Sequence, residues 1–260
     1  MTKRILVCLV LSIGLLFGAV SAQAAEEGAP LMASGANIRD QASLQRGAKL
    51  FMNYCAGCHS LHFMRYSRMA RDLGLTQQEV MENLNFTGAK FHDPVVSAMP
   101  VDGATQWFGK APPDLSLIVG VRGSDWVYTY LNSFYLDPSR PVGWNNTLLE
   151  NAAMPNVLWE LQGIQVPVMG QPEGAEAKGN EASGNSKAEP VVTGLKLAKP
   201  GRLTPAQYHR ATRDITAFLQ YVSEPAALQR RSIAPWVLLY LAAFSFLAWL
   251  LKREYWKDVH

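Results

Sequence analysis

Cysteine is scarce in this 260-residue sequence, which contains only three. So few thiols cannot build a disulfide framework, and no second cysteine pair is present to complete a tetrahedral zinc site. A strong surplus of basic residues is also missing, because the formal net charge is only +3. This near-neutral balance argues against a nucleic-acid-binding protein. We find no internal repeat that would indicate a solenoid or a propeller.

The N-terminus has the pattern of an export signal. Two basic residues precede an apolar stretch over residues 5–20, and Ala22-Gln23-Ala24 follows as a small-residue cleavage site. We interpret residues 1–24 as a secretory signal peptide rather than an anchor, because the apolar stretch is short for a membrane span. Cleavage would remove Cys8 and leave two cysteines. An exported chain with so few thiols fits a bacterial periplasm.

The two remaining cysteines lie in the sequence Cys55-Ala56-Gly57-Cys58-His59. This C-x-x-C-H pattern is typical of covalent haem c attachment, in which two thiols add to the two vinyl groups of one porphyrin. His59 then supplies an axial ligand to the iron. A redox-active dithiol is the alternative, but it would not require the following histidine. The motif therefore predicts one covalent haem c on Cys55 and Cys58.

Several stretches predict helices around this motif. Apolar residues recur at helical spacing over 41–54, where Gly47 lies on the apolar stripe and predicts the close approach of another helix. The best partner is a helix that begins at Thr204-Pro205 and stops before Glu224-Pro225. Shorter helices are expected after the capping-box residue Thr76 and over 125–132. We interpret residues 86–114 as a loop in which Trp107 and Phe108 cover the haem.

Two other stretches define the organisation of the chain. Residues 170–190 contain no aromatic or large aliphatic side chain, so we interpret them as a flexible insertion. Residues 233–251 contain no charge and are flanked by basic residues, which predicts a transmembrane helix. We expect residues 25–229 to form the periplasmic domain. Residues 230–260 would then form the anchor and a short cytoplasmic tail.

The residues alone leave two questions open. One is which methionine is the sixth ligand of the iron, and the other is whether an arginine binds the haem propionates. Met99-Pro100 and Met154-Pro155 both have a proline after the methionine, which limits the backbone of a ligand loop. Spacing from the haem motif slightly favours Met99. Arg122 is either a solvated surface charge or a bidentate partner of a propionate.

Taken together, these residues resemble the cytochrome c1 family. The resemblance covers the whole mature chain and depends on residues 46–60, 111–118 with Arg122, Met154-Pro155, 218–225 and the C-terminal span. It implies a mainly α, class I cytochrome c-like haem domain with long loops and one C-terminal transmembrane helix. It also implies that Met154 and His59 are the axial ligands and that Arg122 binds a propionate. The insertion at 170–190 has no counterpart that we can match.

The resemblance further implies electron transfer rather than enzymatic catalysis by this chain alone. Electrons would pass from a Rieske iron-sulfur protein through the haem to a cytochrome c, in a complex with a cytochrome b subunit. The haem domain would lie in the periplasm of a bacterial inner membrane, with the C-terminus in the cytoplasm. The rivals are a membrane-anchored cytochrome c that serves a terminal oxidase or reductase, and a haem peroxidase or gas sensor.

Overall fold

The computed structural model of the protein describes residues 30–170 and 191–257. The predicted signal peptide and the predicted insertion, apart from Gly170, lie outside these described residues. The helices are α1 (Gln41–Tyr54), α2 (Tyr66–Leu73), α3 (Gln77–Asn83), α4 (Val101–Phe108), α5 (Ile118–Arg122), α6 (Ser124–Asn132), α7 (Trp159–Gln162), α8 (Pro205–Ser223) and α9 (Arg230–Tyr255). The strands are β1 (Leu61–Arg65), β2 (Pro94–Val95), β3 (Phe134–Leu136), β4 (Trp144–Asn146), β5 (Gly163–Gly170) and β6 (Val191–Pro200).

Helices α1 and α8 cross at Gly47 and form the centre of the core. A Cβ atom added to Gly47 would lie 2.7 Å from the carbonyl carbon of Asp214 and 2.8 Å from the Cβ of Phe218. Only glycine allows the backbones to approach this closely. Beside the crossing, the rings of Phe51 and Phe218 are 5.7 Å apart and both side chains are fully buried. The predicted packing of these two helices is confirmed.

The ends of α8 follow from local sequence chemistry. The Thr204 side chain accepts a hydrogen bond from the Gln207 amide, and the Gln207 side chain accepts one from the Thr204 amide in return. Pro205 occupies the first helical turn, where no backbone donor is needed. The helix ends at Ser223 because Pro225 disfavours helical geometry in the residue before it. The predicted bounds of this helix are confirmed.

An ion pair between the exposed Arg46 and the buried Asp214 joins the same two helices. Asp214 on α8 is 3% exposed and accepts hydrogen bonds from Arg46 Nε at 2.7 Å and from the Ser43 hydroxyl at 2.5 Å. Hydrogen bonding to Asp214 raises the pKa of Arg46 further above its usual value. Loss of Arg46 would leave the buried Asp214 carboxylate without its charge partner, so the pair helps to fix the register of α1 against α8.

The strands form three short antiparallel pairs that the sequence analysis did not predict. The longest pair is β5 with β6, whose outermost Cα partners are Gly170 and Val191. The described residues on either side of 171–190 are therefore neighbours across this strand pair. Pro167 lies within β5, and this interrupts the alternating pattern by which a strand is recognised in a sequence.

Helix α4 lies inside the stretch that we expected to be loop, so that expectation was wrong for Val101–Phe108. The helix is hard to recognise because Gly103 lies within it and it spans only two turns. Pro100 precedes it and Gly109 ends it in the left-handed conformation, with φ at 78°. Trp107 is 62% exposed, so it does not shield the site, whereas Phe108 lines the cavity described below.

Helix α9 contains the predicted span at 233–251 and extends beyond it at both ends. Among the described residues it is the one helix long and apolar enough to cross a membrane. Its 24 residues from Ser232 to Tyr255 cover about 36 Å at 1.5 Å per residue, which exceeds a typical hydrocarbon core. The side chains described along this helix are all exposed, so α9 is not a core helix of the preceding domain.

Candidate haem-binding cavity

The C-x-x-C-H motif lies in the turn that continues α1. The Cys55 amide still donates to the Phe51 carbonyl at 2.8 Å, and the amides of Cys58 and His59 both donate to the Cys55 carbonyl. This compact turn brings both sulfurs and the imidazole to one side of the chain. Neither cysteine forms a disulfide. The spacing therefore has the geometric effect that the sequence predicted.

Both thiols are held in their neutral form. Burial raises the pKa of Cys55 to about 12, with a further contribution from Cys58, and burial also raises the pKa of Cys58. A redox-active dithiol needs the opposite shift, because the thiolate is its reactive form. The environment of the pair therefore does not favour the dithiol alternative.

His59 is fixed by one hydrogen bond from its ring. Its Nδ1 lies 2.7 Å from the carbonyl oxygen of Pro113. Because a carbonyl can only accept, Nδ1 carries the proton and Nε2 keeps its lone pair. Burial lowers the pKa of His59, although the Pro113 contact and Asp114 oppose this shift. The ring is 8% exposed and suited to metal ligation as a neutral imidazole.

Hydrogen bonds clamp the loop at 111–118 to the segment that follows His59. Partial burial raises the pKa of Asp114, but hydrogen bonds from Ser116 and His62 outweigh it and lower the pKa overall. This clamp keeps the Pro113 carbonyl against the imidazole. The bonds join Asp114 to the amide and ring of His62 at 2.9 and 2.7 Å, Ser116 to the Phe63 amide at 3.1 Å, and the Leu115 amide to the Ser60 carbonyl at 3.0 Å.

A cavity of about 230 Å³ lies beside the motif. Its walls come from the end of α1, the loop at 111–118, helices α6 and α8, and the loop that carries Met154. Apolar side chains form most of the lining. The lining residues are Tyr54, Cys55, Cys58, His59, Phe108, Lys110, Ala111, Pro112, Pro113, Leu115, Ile118, Trp126, Val127, Tyr130, Leu131, Leu149, Ala152, Ala153, Met154, Pro155, Val157, Ile215 and Leu219.

Met154 lines this cavity together with both cysteines and His59, whereas Met99 is not among the lining residues. Met64 and Met69 are fully buried in the core. The structure thus brings four of the five predicted site residues to one cavity.

Arg122 is the predicted site residue that does not line the cavity. Its side chain is exposed, and its guanidinium carbon lies 5.2 Å from the centre of the Trp126 ring. Trp126 itself lines the cavity and stacks on Tyr130, with ring centres 5.2 Å apart and an interplanar angle of 7°. Arg122 therefore covers the outer face of a cavity wall. Its role toward a propionate stays a prediction.

The sequence analysis missed Tyr130. It lines the cavity, and partial burial raises the pKa of its hydroxyl to about 12. No sequence signal identifies it, because a tyrosine on the apolar stripe of α6 looks like a core residue.

This donor set fits haem c. Two adjacent thiols, one imidazole with a free Nε2, one thioether and mostly apolar walls provide the attachment points, the axial ligands and the exclusion of water that this group requires. Within the described part of the chain, no group of three or more His, Cys, Asp or Glu side chains could hold another metal ion.

Comparisons with known proteins show what the chain is similar to. The sequence profile described as the Cytochrome C1 family matches residues 34–259. A protein named cytochrome c1 from Allochromatium vinosum is 48% identical over 97% of this chain and 99% of its own length. A protein from Nitrosomonas europaea named ammonia monooxygenase gamma subunit is 41% identical over 85% of each chain. Cytochrome c1 of Rhodospirillum rubrum is 28% identical over 85% of this chain and 83% of its own.

Proposed function

Because this chain belongs to the cytochrome c1 family, we propose that it is the haem-carrying, electron-transfer subunit of a respiratory quinol-oxidising complex. It is a redox subunit and not an enzyme by itself, although the complex is an oxidoreductase. The observation that carries the proposal is that Met154 and the C-x-x-C-H motif line the same cavity. A high-potential cytochrome c needs this pair of histidine and methionine ligands.

Cys55 and Cys58 would hold one haem c through thioether bonds, and His59 and Met154 would bind its iron. When bound, it supplies an iron that alternates between the ferrous and ferric states. His59 presents Nε2 because Pro113 occupies Nδ1. The thioether of Met154 favours the ferrous state and raises the potential. The apolar cavity walls exclude water and act in the same direction.

The partners follow from the same family membership. The chain accepts electrons from a Rieske iron-sulfur protein, passes them to a cytochrome c, and assembles with a cytochrome b subunit. Helix α9 anchors it in the bacterial inner membrane. The predicted signal peptide supports a periplasmic haem domain and a cytoplasmic C-terminus.

Two methionine variants test the ligand. Met154→Leu should retain covalent haem but lose the weak far-red absorption of ferric methionine-ligated haem, and its potential should fall. Met99→Leu is the matched control and should change neither property. If Met99→Leu loses the band and Met154→Leu keeps it, the assignment of the sixth ligand is wrong.

Purification from native membranes in mild detergent tests the complex. A cytochrome b subunit and a Rieske protein should elute with the chain. If it elutes instead with a terminal oxidase, or with subunits of the enzyme after which the Nitrosomonas europaea relative is named, then the proposed complex is wrong.

A further inference from the structure

The loop that carries Met154 begins after β4, and a buried amide side chain on β4 holds it. We propose that Asn145 is a positioning residue for the sixth ligand, with Asp137 orienting its amide. This inference rests on the proposed role of Met154 and assigns a task to residues that do not line the cavity.

Asn145 is 8% exposed and lies opposite Tyr135 in the β3–β4 pair. Its Oδ1 accepts a hydrogen bond from the Asn151 amide at 2.9 Å. Asn151 is three residues before Met154 and is the only non-glycine residue of the described chain with a positive φ, at 61°. Among residues with a Cβ, asparagine tolerates this left-handed conformation best, and contacts from its surroundings hold it there. The hydrogen bond that the Asn151 amide donates to Asn145 Oδ1 is such a contact.

Asp137 determines which end of the Asn145 amide faces the loop. The Nδ2 of Asn145 donates to Asp137 Oδ2 at 3.0 Å. A carboxylate can only accept, so the donor end of the amide must face Asp137 and the acceptor end must face Asn151. Ser139 holds the other carboxylate oxygen through its hydroxyl at 2.6 Å and its amide at 3.1 Å. Asn151 therefore donates to Asn145, and Asn145 in turn donates to Asp137.

The neighbouring residue Asn146 holds the first part of the same loop. It is fully buried, and its Oδ1 accepts from the amides of Leu148 at 2.9 Å and Leu149 at 3.2 Å. Leu149 lines the cavity, as do the residues from 152 to 155. The loop between β4 and Met154 is thus a cavity wall fixed by two consecutive asparagines. Of these, Asn145 holds the position nearest to Met154.

Exchanging the side chains of Asn145 and Asp137, first singly and then together, tests the proposal in the full-length protein purified with its complex. Asn145→Asp removes the donor and places two carboxylates side by side, while Asp137→Asn places two donor groups side by side. Each single variant should weaken or lose the far-red band, lower the potential, and increase carbon monoxide binding to the ferrous form. One lost hydrogen bond corresponds to about a tenfold change in the equilibrium between bound and dissociated Met154. The Asn145→Asp, Asp137→Asn double variant restores one donor between the two positions and should recover the band.

The matched control is Asn85→Asp. Asn85 also holds a loop, donating to the Ala89 carbonyl at 2.7 Å, but no residue from 85 to 89 lines the cavity. This variant should lower the unfolding temperature and leave the band, the potential and carbon monoxide binding unchanged. A purely structural role for Asn145 would give the same result as this control and would overturn the proposal, as would a double variant that is no better than the singles. If Met154→Leu itself leaves the band intact, the ligand assignment fails first.

Discussion

The crossing of α1 and α8 gives a sharp prediction, because Gly47→Ala places a methyl group where no space exists. The added Cβ would lie 2.7 Å from the Asp214 carbonyl carbon, and the favourable separation of two carbon atoms is about 3.5–4.0 Å. The helices would have to separate by about 1 Å, and a backbone atom cannot avoid the clash by changing rotamer. We expect a loss of about 3 kcal/mol in the free energy of unfolding, at the upper end of typical overpacking.

Denaturant unfolding of the purified protein, followed by tryptophan fluorescence and by the haem absorption, measures this loss. Gly120→Ala is the control, because nothing lies within 4 Å of its added Cβ and Gly120 is inside α5. It should stabilise the protein by up to about 1 kcal/mol through helix propensity. If Gly47→Ala unfolds at the same denaturant concentration as the parent, then the reasoning about the helix crossing is refuted.

Three further predictions concern other parts of the chain. A chain that ends at Glu224 should carry haem and be released into the periplasm; if it sediments with membranes, a second attachment exists. Deletion of residues 171–190 with a short turn in their place should leave the haem spectrum unchanged, since Gly170 and Val191 are cross-strand partners; a shifted spectrum would contradict this. The Ser34 amide donates to Asp125 at 2.9 Å, and this hydrogen bond lowers the pKa of the carboxyl. The contact therefore stabilises the protein above about pH 4 and weakens as the pH falls through the lowered pKa. The protection factor of the Ser34 amide, its exchange relative to an unprotected amide at the same pH, should fall accordingly, and Asp125→Asn should abolish this pH dependence of protection.

The parts of the fold that depend on local chemistry could be predicted from the sequence. The capping boxes at Thr76 and Thr204 fixed two helix starts, and the place of Gly47 on an apolar stripe indicated the helix crossing. Helix α4 and the β5–β6 pair could not be predicted in this way. Their sequences contain Gly103 and Pro167, which are typical of loops, and β5 is regular because it pairs with β6.

The site was predictable to the extent that covalent chemistry requires particular residues at fixed spacing. Cys55, Cys58 and His59 form such a motif, whereas the choice between Met99 and Met154 needed the family resemblance. Asn145 and Tyr130 were missed because their roles depend on contacts that no sequence pattern indicates. An asparagine becomes a loop support only when the fold brings Asp137 and Asn151 to its two ends.

The contact between His59 and Pro113 also bears on the speed of electron transfer. The rate falls as the reorganisation energy rises, which is the energy needed to move ligands and solvent from their positions in one oxidation state to those in the other. The hydrogen bond between Nδ1 and the carbonyl of the clamped loop fixes the ring of His59. The apolar cavity walls leave little water to reorient. With haem bound at His59, the loop that selects the tautomer of this residue would keep the inner-sphere contribution to the reorganisation energy small, and the apolar walls would do the same for the solvent contribution.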